Sequence, residues 1–205
     1  MPDRTAGGGC EGLPLLVETP SSWARLAAQD LARFLADHAV CELQAALTAL
    51  NLVAHYPEDE ELVDRMTSLA IEEATHLRRV AGLLRRRGLR PAQRRANPYA
   101  SALHSRVGGG SRTERKTDRL LVGALIEARS SERFTRLLPE IHESDVEIAD
   151  LLSDLGPAER RHWETFHRLA AREQDPIWFR KRWTGWLEYE AELCSRGGNA
   201  STVHG

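Results

Sequence analysis

One arrangement of glutamates and histidines occurs twice in this chain of 205 residues and restricts its fold more than any other feature. Each copy is a single Glu followed by Glu-x-x-His, and the two glutamates are 31 residues apart in one copy and 32 in the other. The six residues are Glu42, Glu73, His76, Glu127, Glu159 and His162. Because Glu and His three positions apart share one face of a helix, the pattern predicts four helices that present the ligand set of a carboxylate-bridged di-iron or di-manganese bundle.

Turn and capping signals divide the first half of the chain into two long helices. The first predicted helix opens after Pro20 and runs to about His55, with apolar residues recurring on one stripe. The second starts after Pro57 and reads to Arg87, with Gly88 as the residue after its C-cap. The two are therefore predicted to form an antiparallel pair.

The second half of the chain contains three further predicted helices, which follow a long loop at residues 88–112. A Ser with a Glu three positions later forms a capping box, which marks the start of a helix. The segments are a third helix from Ser111-x-x-Glu114 to Pro139, a fourth from Ser144-x-x-Glu147 to about Arg172, and a fifth, aromatic-rich helix from Asp175-Pro176 to about Cys194. Gly156-Pro157 lies inside the fourth and is expected to kink or restart it, because proline lacks the N–H that continues a helix.

Together these segments predict an all-α, ferritin-like four-helix bundle with an additional C-terminal helix, over residues 19–194. Residues 1–18 are expected to be a disordered leader and 195–205 a disordered tail. With 41% hydrophobic and 28% charged residues, the composition is that of a soluble protein. No apolar stretch reaches the roughly 18 residues that a membrane helix needs, no signal peptide is evident, and the three scattered cysteines do not suggest a disulfide scaffold. These features favour a cytoplasmic protein that has no membrane partner.

The heights and faces of the glutamates support a shared buried site. Glu42 lies 15 residues before Pro57 and Glu73 lies 16 after it, so an antiparallel pair joined there brings both to one level. Glu42 and Glu127 each fall within an apolar stripe. One such residue would be most simply explained as a buried ion pair, but six in register favour a metal site, because buried charges are costly unless paired or metal-bound.

Two of the ligand positions have competitors. Glu132 competes with Glu127, but it lies at the edge of the apolar stripe, and its separation of 27 residues from Glu159 breaks the repeat. Glu72 competes with Glu73, but only Glu73 reproduces the three-residue spacing to a histidine. Glu127 and Glu73 are therefore the preferred ligands.

The chemistry of this ligand set narrows the metal and the reaction. Four carboxylates carry at most four negative charges, which match two divalent cations, and mixed oxygen and nitrogen ligands suit iron or manganese. Two irons held by bridging carboxylates can reduce dioxygen, provided that the protein supplies a dry pocket that directs the oxidant at a C–H bond. The spacing alone does not separate a hydroxylase from a ferroxidase, a peroxidase or a radical generator.

Three segments around the proposed ligands carry a more specific signal. They are Asp37-His38-Ala39-Val40-Cys41-Glu42, Glu72-Glu73-x-x-His76 and Leu125-Ile126-Glu127-Ala128-Arg129-Ser130-Ser131-Glu132-Arg133-Phe134. Together they resemble the MiaE family, tRNA hydroxylases that act on 2-methylthio-N6-isopentenyladenosine next to the anticodon. The resemblance implies a non-haem di-iron centre that uses dioxygen and two external electrons to hydroxylate the isopentenyl group, with the six residues above as ligands. Val40 and Ser131 depart from the family pattern, which leaves a divergent substrate open.

A basic stretch suggests how such a substrate would be held. Between Glu73 and Glu114 there is no acidic residue, and although arginines usually form a solvated face, an unbalanced basic field attracts phosphates. The candidates for holding the anticodon arm of tRNA are Arg85, Arg86, Arg87, Arg90, Arg94 and Arg95. Such contacts position RNA without reading its sequence. An unidentified reductase is expected as electron donor, and the protein is expected to be a monomer or weak dimer.

Two other functions and several residue roles stay open at this point. The chain could be a di-iron hydroxylase of a quinone or other small substrate, since quinone hydroxylases share a similar Asp-His-Ala-x-x-Glu element, or a non-catalytic ferritin-like iron-binding protein. His38 is either an outer neighbour of the metals or a core histidine. The aromatic residues that could stack on an extruded adenine, or simply pack in the core, are Trp163, Trp178, Phe179, Trp183 and Trp186.

Overall fold

The computed structural model describes residues 12–93, 97–196 and 202–204, and within these residues all regular secondary structure is helical. The helices are α1 (Ser21–Gln29), α2 (Leu31–His55), α3 (Glu60–Arg86), α4 (Pro98–Arg106), α5 (Arg112–Ile141), α6 (Val146–Ala171) and α7 (Pro176–Arg196). The long helices pack in two pairs, α2 with α3 and α5 with α6, and α7 packs on α5. The predicted all-α bundle with an additional C-terminal helix is confirmed.

The first predicted helix is divided into two at Asp30. The backbone N–H of Asp30 bonds to the carbonyl of Ala27 at 3.1 Å, while its carboxylate accepts a hydrogen bond from the backbone N–H of Arg33 at 3.1 Å. Asp30 therefore ends α1 and caps α2. The prediction of one uninterrupted helix to His55 is wrong here, because an aspartate side chain competes with the helical backbone for its own hydrogen bonds.

Helix α3 begins and ends where its capping signals predict. The carboxylate of Asp59 accepts from the backbone N–H of Leu62 at 3.1 Å, which satisfies one of the free donors of the first turn. Gly88 follows the helix with φ +68°, a left-handed conformation that favours glycine, and the N–H of Leu89 reaches back to the carbonyl of Leu84 at 2.9 Å. Glycine after the C-cap thus closes α3 as expected.

Helix α4 lies in the stretch 88–112 that was predicted to be a loop throughout, so that prediction is wrong. The side chain of Asn97 accepts from the backbone N–H of Ala100 at 3.0 Å, and Pro98 occupies the first helical position. Asn at the N-cap followed by Pro is a sequence signal for a helix start. Buried Tyr99 and Leu103 anchor the helix to the bundle.

Helix α5 starts at the predicted capping box but extends beyond the predicted end. The N–H of Ser111 bonds to the Glu114 carboxylate at 2.6 Å, and the N–H of Glu114 bonds to the Ser111 hydroxyl at 3.1 Å. The helix then continues through Pro139 to Ile141. Packing against α6 outweighs the one hydrogen bond that proline removes.

Helix α6 differs from the prediction at its start and at its proline. Asp145, not Ser144, is the N-cap, and its carboxylate accepts from the backbone N–H of Ile148 at 3.2 Å. The helix does not restart at Gly156-Pro157 but runs continuously through this pair. The hydroxyl of Ser131 on α5 donates to the carbonyl of Gly156 at 3.2 Å and so links the two helices at this pair.

The buried apolar side chains fall into two clusters at opposite ends of the bundle. One contains Leu62 and Phe166, and the other contains Phe34 and Phe134. On α2, α3 and α6, the predicted metal ligands lie between the segments that contribute to the two clusters, and on α5 Glu127 lies beside Ala128, the last α5 residue of the first cluster. A buried polar layer therefore separates two hydrophobic cores.

Parts of both predicted disordered termini are packed against the bundle. Leu15 is buried, and the carbonyl of Val17 accepts from the Arg129 guanidinium at 3.0 Å, so this part of the leader is docked. In the predicted tail, Ser195 and Arg196 complete α7, and residues 202–204 are buried. Buried polar side chains of α5 contact both segments. Residues 1–11, 197–201 and 205 lie outside the described residues, and the disordered leader and tail stay a prediction.

Candidate metal centre

The four bundle helices bring the six predicted ligands together at one level. All six are buried, at 1–5% of their full exposure. Two sets of four each place one ligand atom per residue within 4.8 Å of the others: Glu42, Glu73, His76 and Glu159 in one set, and Glu73, Glu127, Glu159 and His162 in the other. Glu73 and Glu159 belong to both sets. The two sets could therefore each hold a cation, with Glu73 and Glu159 common to both.

Histidine nitrogens in the cluster lie close to carboxylate oxygens. Nδ1 of His162 lies 2.6 Å from Oε1 of Glu73, and Nδ1 of His76 lies 3.5 Å from Oε2 of Glu42. None of these four buried atoms has a well-aligned hydrogen bond within the described part of the chain. Buried polar atoms are normally satisfied, so unsatisfied donor atoms that converge on one another fit the coordination of metal ions.

The charges of the cluster point to the same conclusion. Burial raises the pKa of Glu159 well above its usual value, and the nearby carboxylates of Glu127 and Glu73 raise it further. Burial likewise raises the pKa of Glu127. Without a cation, these carboxylates repel each other and favour protonation. Two divalent cations would supply the four positive charges that let all four carboxylates ionise, so the residues fit a dinuclear metal site.

The two histidines act as the positive partners in the protein without metal. Burial alone would lower the pKa of His76, but the carboxylates of Glu42 and Glu73 raise it to about 10. Burial would likewise lower the pKa of His162, whereas Glu73 and Glu127 raise it to about 9. A protonated imidazole cannot bind a metal through the protonated nitrogen, so metal loading must displace protons from this site.

Glu72, the competitor of Glu73, lies behind the histidines and outside the cluster. Its Oε2 accepts from Nε2 of His162 at 3.1 Å, and its Oε1 lies 4.0 Å from Nε2 of His76. Arg161 holds the same carboxylate at 2.7 Å. Since Nδ1 of each histidine faces the cluster, Glu72 lies on the opposite side of both rings, and its hydrogen bond orients the ring of His162. Sequence reasoning rejected Glu72 as a ligand and missed this role.

His38, whose role was left open, contacts a proposed ligand directly. Its Nε2 lies 2.5 Å from Oε1 of Glu42, one turn along α2. Burial would raise the pKa of Glu42, but the interactions with His38 and His76 lower it well below its usual range. Rings of Phe34 and Phe134 pack around His38. The histidine therefore fixes one oxygen of Glu42 and leaves the other directed at the cluster.

Glu132, the competitor of Glu127, belongs to a separate buried network. Its two oxygens accept from the backbone N–H and the hydroxyl of Thr19, and Arg129 contacts the same carboxylate at 3.1 Å. Arg129 also forms a buried pair with Glu190 of α7 at 2.8 Å. This network attaches the N-terminal segment and α7 to α5.

A cavity of about 520 Å³ opens onto the carboxylate side of the cluster. Its lining includes the four proposed carboxylate ligands but neither His76 nor His162. Its other walls come from α2, from α5, from residues 203–204 and from α4 with its N-cap, the last of which contribute Asn97, Ser101 and His104. The helix that the sequence did not predict thus forms one wall of the cavity. A small molecule or side group entering here would meet the carboxylate face of the cluster.

The aromatic residues proposed for base stacking do not line this cavity. Phe179 and Trp186 are buried in the hydrophobic core, and Trp163, Trp178 and Trp183 pack against that core. The structure therefore shows core packing for these aromatic residues, the simpler of their two possible roles. Phe134 does line the cavity.

The proposed phosphate-binding arginines differ in their surroundings. Arg86 pairs with Glu147 at 2.5 Å, and Arg87 holds Asp145 at 2.6 Å, so α6 neutralises both. Arg85 and Arg90 are exposed. Arg94 and Arg95 lie outside the described residues.

Comparison with known proteins identifies the family. A sequence model described as tRNA-(MS2IO6A)-hydroxylase (MiaE) matches residues 13–205. The chain belongs to the MiaE family. A relative from Pseudomonas putida, named tRNA 2-(methylsulfanyl)-N(6)-isopentenyladenosine(37) hydroxylase, is 40% identical over 154 residues, which cover 74% of this chain and 72% of the relative. A protein of the same name from Salmonella typhimurium is 29% identical over 228 residues, covering 85% and 81% respectively.

A solved structure extends the comparison to the fold. Protein 43 with aldehyde deformylating oxygenase activity from Synechococcus superposes with a TM-score of 0.85 and 28% identity, over 93% of this chain and 94% of that one. The predicted ferritin-like fold is thereby confirmed. Within the described residues, no helix has the length and apolar content that crossing a membrane requires.

Proposed function

We propose that this MiaE family member is a di-iron monooxygenase that hydroxylates the isopentenyl group of 2-methylthio-N6-isopentenyladenosine in tRNA. The observation that carries the proposal is the cavity that meets the buried cluster on its carboxylate side. The names of the two relatives supply the substrate class. The ligands would be Glu42, Glu73, His76, Glu127, Glu159 and His162.

The overall reaction converts a C–H bond, dioxygen, two electrons and two protons into a C–OH group and water. Two bound irons would supply the dioxygen chemistry. A reductase, as yet unidentified, would supply the electrons. The protein itself buries the carboxylates and orients His162 through Glu72.

The walls of the cavity suit an alkyl group attached to a polar base. Val40, Ala45, Ile126 and Phe134 provide apolar surface close to the carboxylates. Polar side chains on α4, such as Asn97 and Ser101, lie at another wall. A cavity of about 520 Å³ lies within the range of small-ligand sites, roughly 300–1,000 Å³. We infer that it receives the modified side chain and part of the base, while the rest of the tRNA stays outside.

The exposed arginines near the end of α3 are the proposed contacts for the anticodon arm. Arg85 and Arg90 present charge that solvent can reach, whereas Arg86 and Arg87 would have to exchange carboxylate partners for phosphates. Arg94 and Arg95 complete the proposed set. Phosphate contacts of this kind would make binding salt-dependent and leave recognition of the modified base to the cavity.

Expression in a bacterium that makes the isopentenylated nucleoside but lacks its hydroxylase would test the proposal. Total tRNA nucleosides from cells with the wild type, Glu127→Ala and the control Glu140→Ala would be compared by mass spectrometry. Glu140 lies on the same helix and is exposed. A nucleoside one oxygen heavier is expected with the wild type and the control and not with Glu127→Ala.

A wild-type protein that purifies with two irons but gives no new nucleoside would refute the tRNA assignment. The alternatives would then be a di-iron hydroxylase of a quinone or other small substrate, or a non-catalytic iron-binding protein. Dioxygen consumption that depends on an added substrate would distinguish these two.

A further inference from the structure

A short segment near the end of the chain, residues 202–204, is held inside the protein by contacts to its backbone. Trp23 donates through its indole N–H to the carbonyl of Thr202 at 3.2 Å, and the N–H of Val203 donates to the carboxylate of Asp37 at 3.0 Å. The guanidinium of Arg133 donates to the carbonyl of Val203. Side chains of α1, α2 and α5 thus fix the backbone of the segment, and these contacts do not depend on the side chains of residues 202–204.

This attachment places the side chain of His204 against two residues of the bundle. Its ring stacks on Tyr99 of α4, with ring centroids 5.3 Å apart and planes at 3°. Its Nε2 lies 3.2 Å from the hydroxyl of Ser130, while Nδ1 is buried and has no hydrogen-bond partner among the described residues. Burial and the nearby charges of Arg133 and Arg129 lower the pKa of His204, so the ring is neutral.

The segment also forms part of the cavity beside the metal centre. Val203 and His204 line the same space as Glu42, Glu127 and Glu159. The imidazole is therefore one of the polar groups that line the cavity, on a wall away from the helices that carry the carboxylates. A buried polar atom without a partner is costly, and a ligand with a complementary hydrogen-bonding edge would remove that cost.

We propose that His204 is a specificity-determining residue that recognises the modified adenine base through its buried imidazole. This inference rests on the proposed function, because it takes the substrate to be a base that carries an alkyl group. The alkyl group of the substrate must approach the carboxylates. The attached base then offers polar atoms that could serve as the missing hydrogen-bond partner of the imidazole. The segment 202–204 is thus assigned to the active site, although it lies far in sequence from every ligand motif.

Binding of RNA to the full-length protein without metal would test this role independently of turnover. The probes are two fluorescently labelled anticodon stem–loops, one with 2-methylthio-N6-isopentenyladenosine and one with unmodified adenosine, and the readout is Kd by fluorescence anisotropy. The variants are His204→Ala, His204→Phe and the control His142→Ala, which removes an exposed histidine. Thermal unfolding midpoints would show that each variant is folded.

His204→Ala and His204→Phe are both expected to lower the preference for the modified RNA by about tenfold, since one lost buried hydrogen bond is worth about 1.4 kcal/mol. Both should bind unmodified RNA like the wild type, and His142→Ala should change neither Kd. Phenylalanine can still stack on Tyr99, so wild-type preference in His204→Phe would overturn base recognition by the polar ring. Wild-type protein without any preference would instead refute the proposed function.

A second variant weakens the attachment of residues 202–204 without changing His204. Asp37→Ala removes the carboxylate that accepts from the N–H of Val203, and it should also reduce the preference for the modified RNA. The double variant with His204→Ala should be no worse than His204→Ala alone, because both changes act on one contact. Fully additive effects would show that Asp37 acts elsewhere and would contradict the role assigned to the docked segment.

Discussion

Replacing Glu72 should weaken metal binding at one of the two cation positions more than at the other. Oε2 of Glu72 accepts from His162 at 3.1 Å, but Oε1 is 4.0 Å from His76, which is too long for a hydrogen bond. Loss of a carboxylate that orients a ligating histidine typically costs about 10–100-fold in metal affinity. Because the Glu72 side chain is 39% exposed, water can partly replace it. We therefore expect the metal affinity to fall about tenfold at the position that His162 would bind, and to change little at the other position.

The assay is a titration of the metal-free protein with Fe²⁺ under anaerobic conditions, in competition with a chelator of known affinity. Glu72→Ala removes the contact, and Glu72→Gln keeps an oxygen acceptor without the charge and should lose less. Glu60→Gln, an exposed change on the same helix, is the matched control. Two binding constants that both stay at the wild-type value in Glu72→Ala would refute the idea that this carboxylate orients the histidine.

Three further predictions concern stability and RNA binding. Burial would raise the pKa of Asp59, but its cationic partners lower it from 3.8 to about 2. The ionised carboxylate therefore stabilises the fold above pH 3.8, and this contribution is lost as the pH falls from 3.8 to about 2. Asp59→Asn should lower the free energy of unfolding by about 1–2 kcal/mol at pH 7, and urea denaturation should show a smaller loss of stability at acid pH than in the wild type. Glu190→Ala should lower the free energy of unfolding by about 3 kcal/mol, measured in urea, because Arg129 is left buried without this partner. Arg90→Ala should reduce the slope of log Kd for tRNA against log salt by about 1, and paired Arg86→Ala should reduce it less.

The ligand positions were predictable because they depend on local helical geometry. The separation of three residues between Glu73 and His76 is set by one turn of helix, whatever the rest of the chain does. The hairpin between α2 and α3 then brings Glu42 to the same level by counting residues from the turn. The identity of these residues as ligands stays a prediction, but their convergence is what the periodicity requires.

Element boundaries were harder because a single polar side chain decides between competing hydrogen bonds. Asp30 lies in a stretch whose apolar periodicity continues past it, and only its bond to the N–H of Arg33 shows that it starts a new helix. Asn97-Pro98 did carry a start signal for α4, but the surrounding glycines and arginines obscured it. In both places the pattern of apolar residues was a weaker guide than the cap.

The cavity walls that come from α4 and residues 203–204 could not be predicted from the motifs, since the motifs describe only the bundle. Four helices that converge on a buried polar layer leave its carboxylate side open, and apolar residues of those helices already form the two cores at either end. Closing that side requires elements from outside the bundle, and the structure uses α4 and residues 202–204. Asp37 and Arg133 hold residues 202–204 through the backbone of Val203. Because backbone atoms are the same in every residue, the sequence of the segment does not reveal these contacts. Substrate selection is therefore expected to depend on these two elements, and the dioxygen chemistry on the repeated Glu-x-x-His pattern.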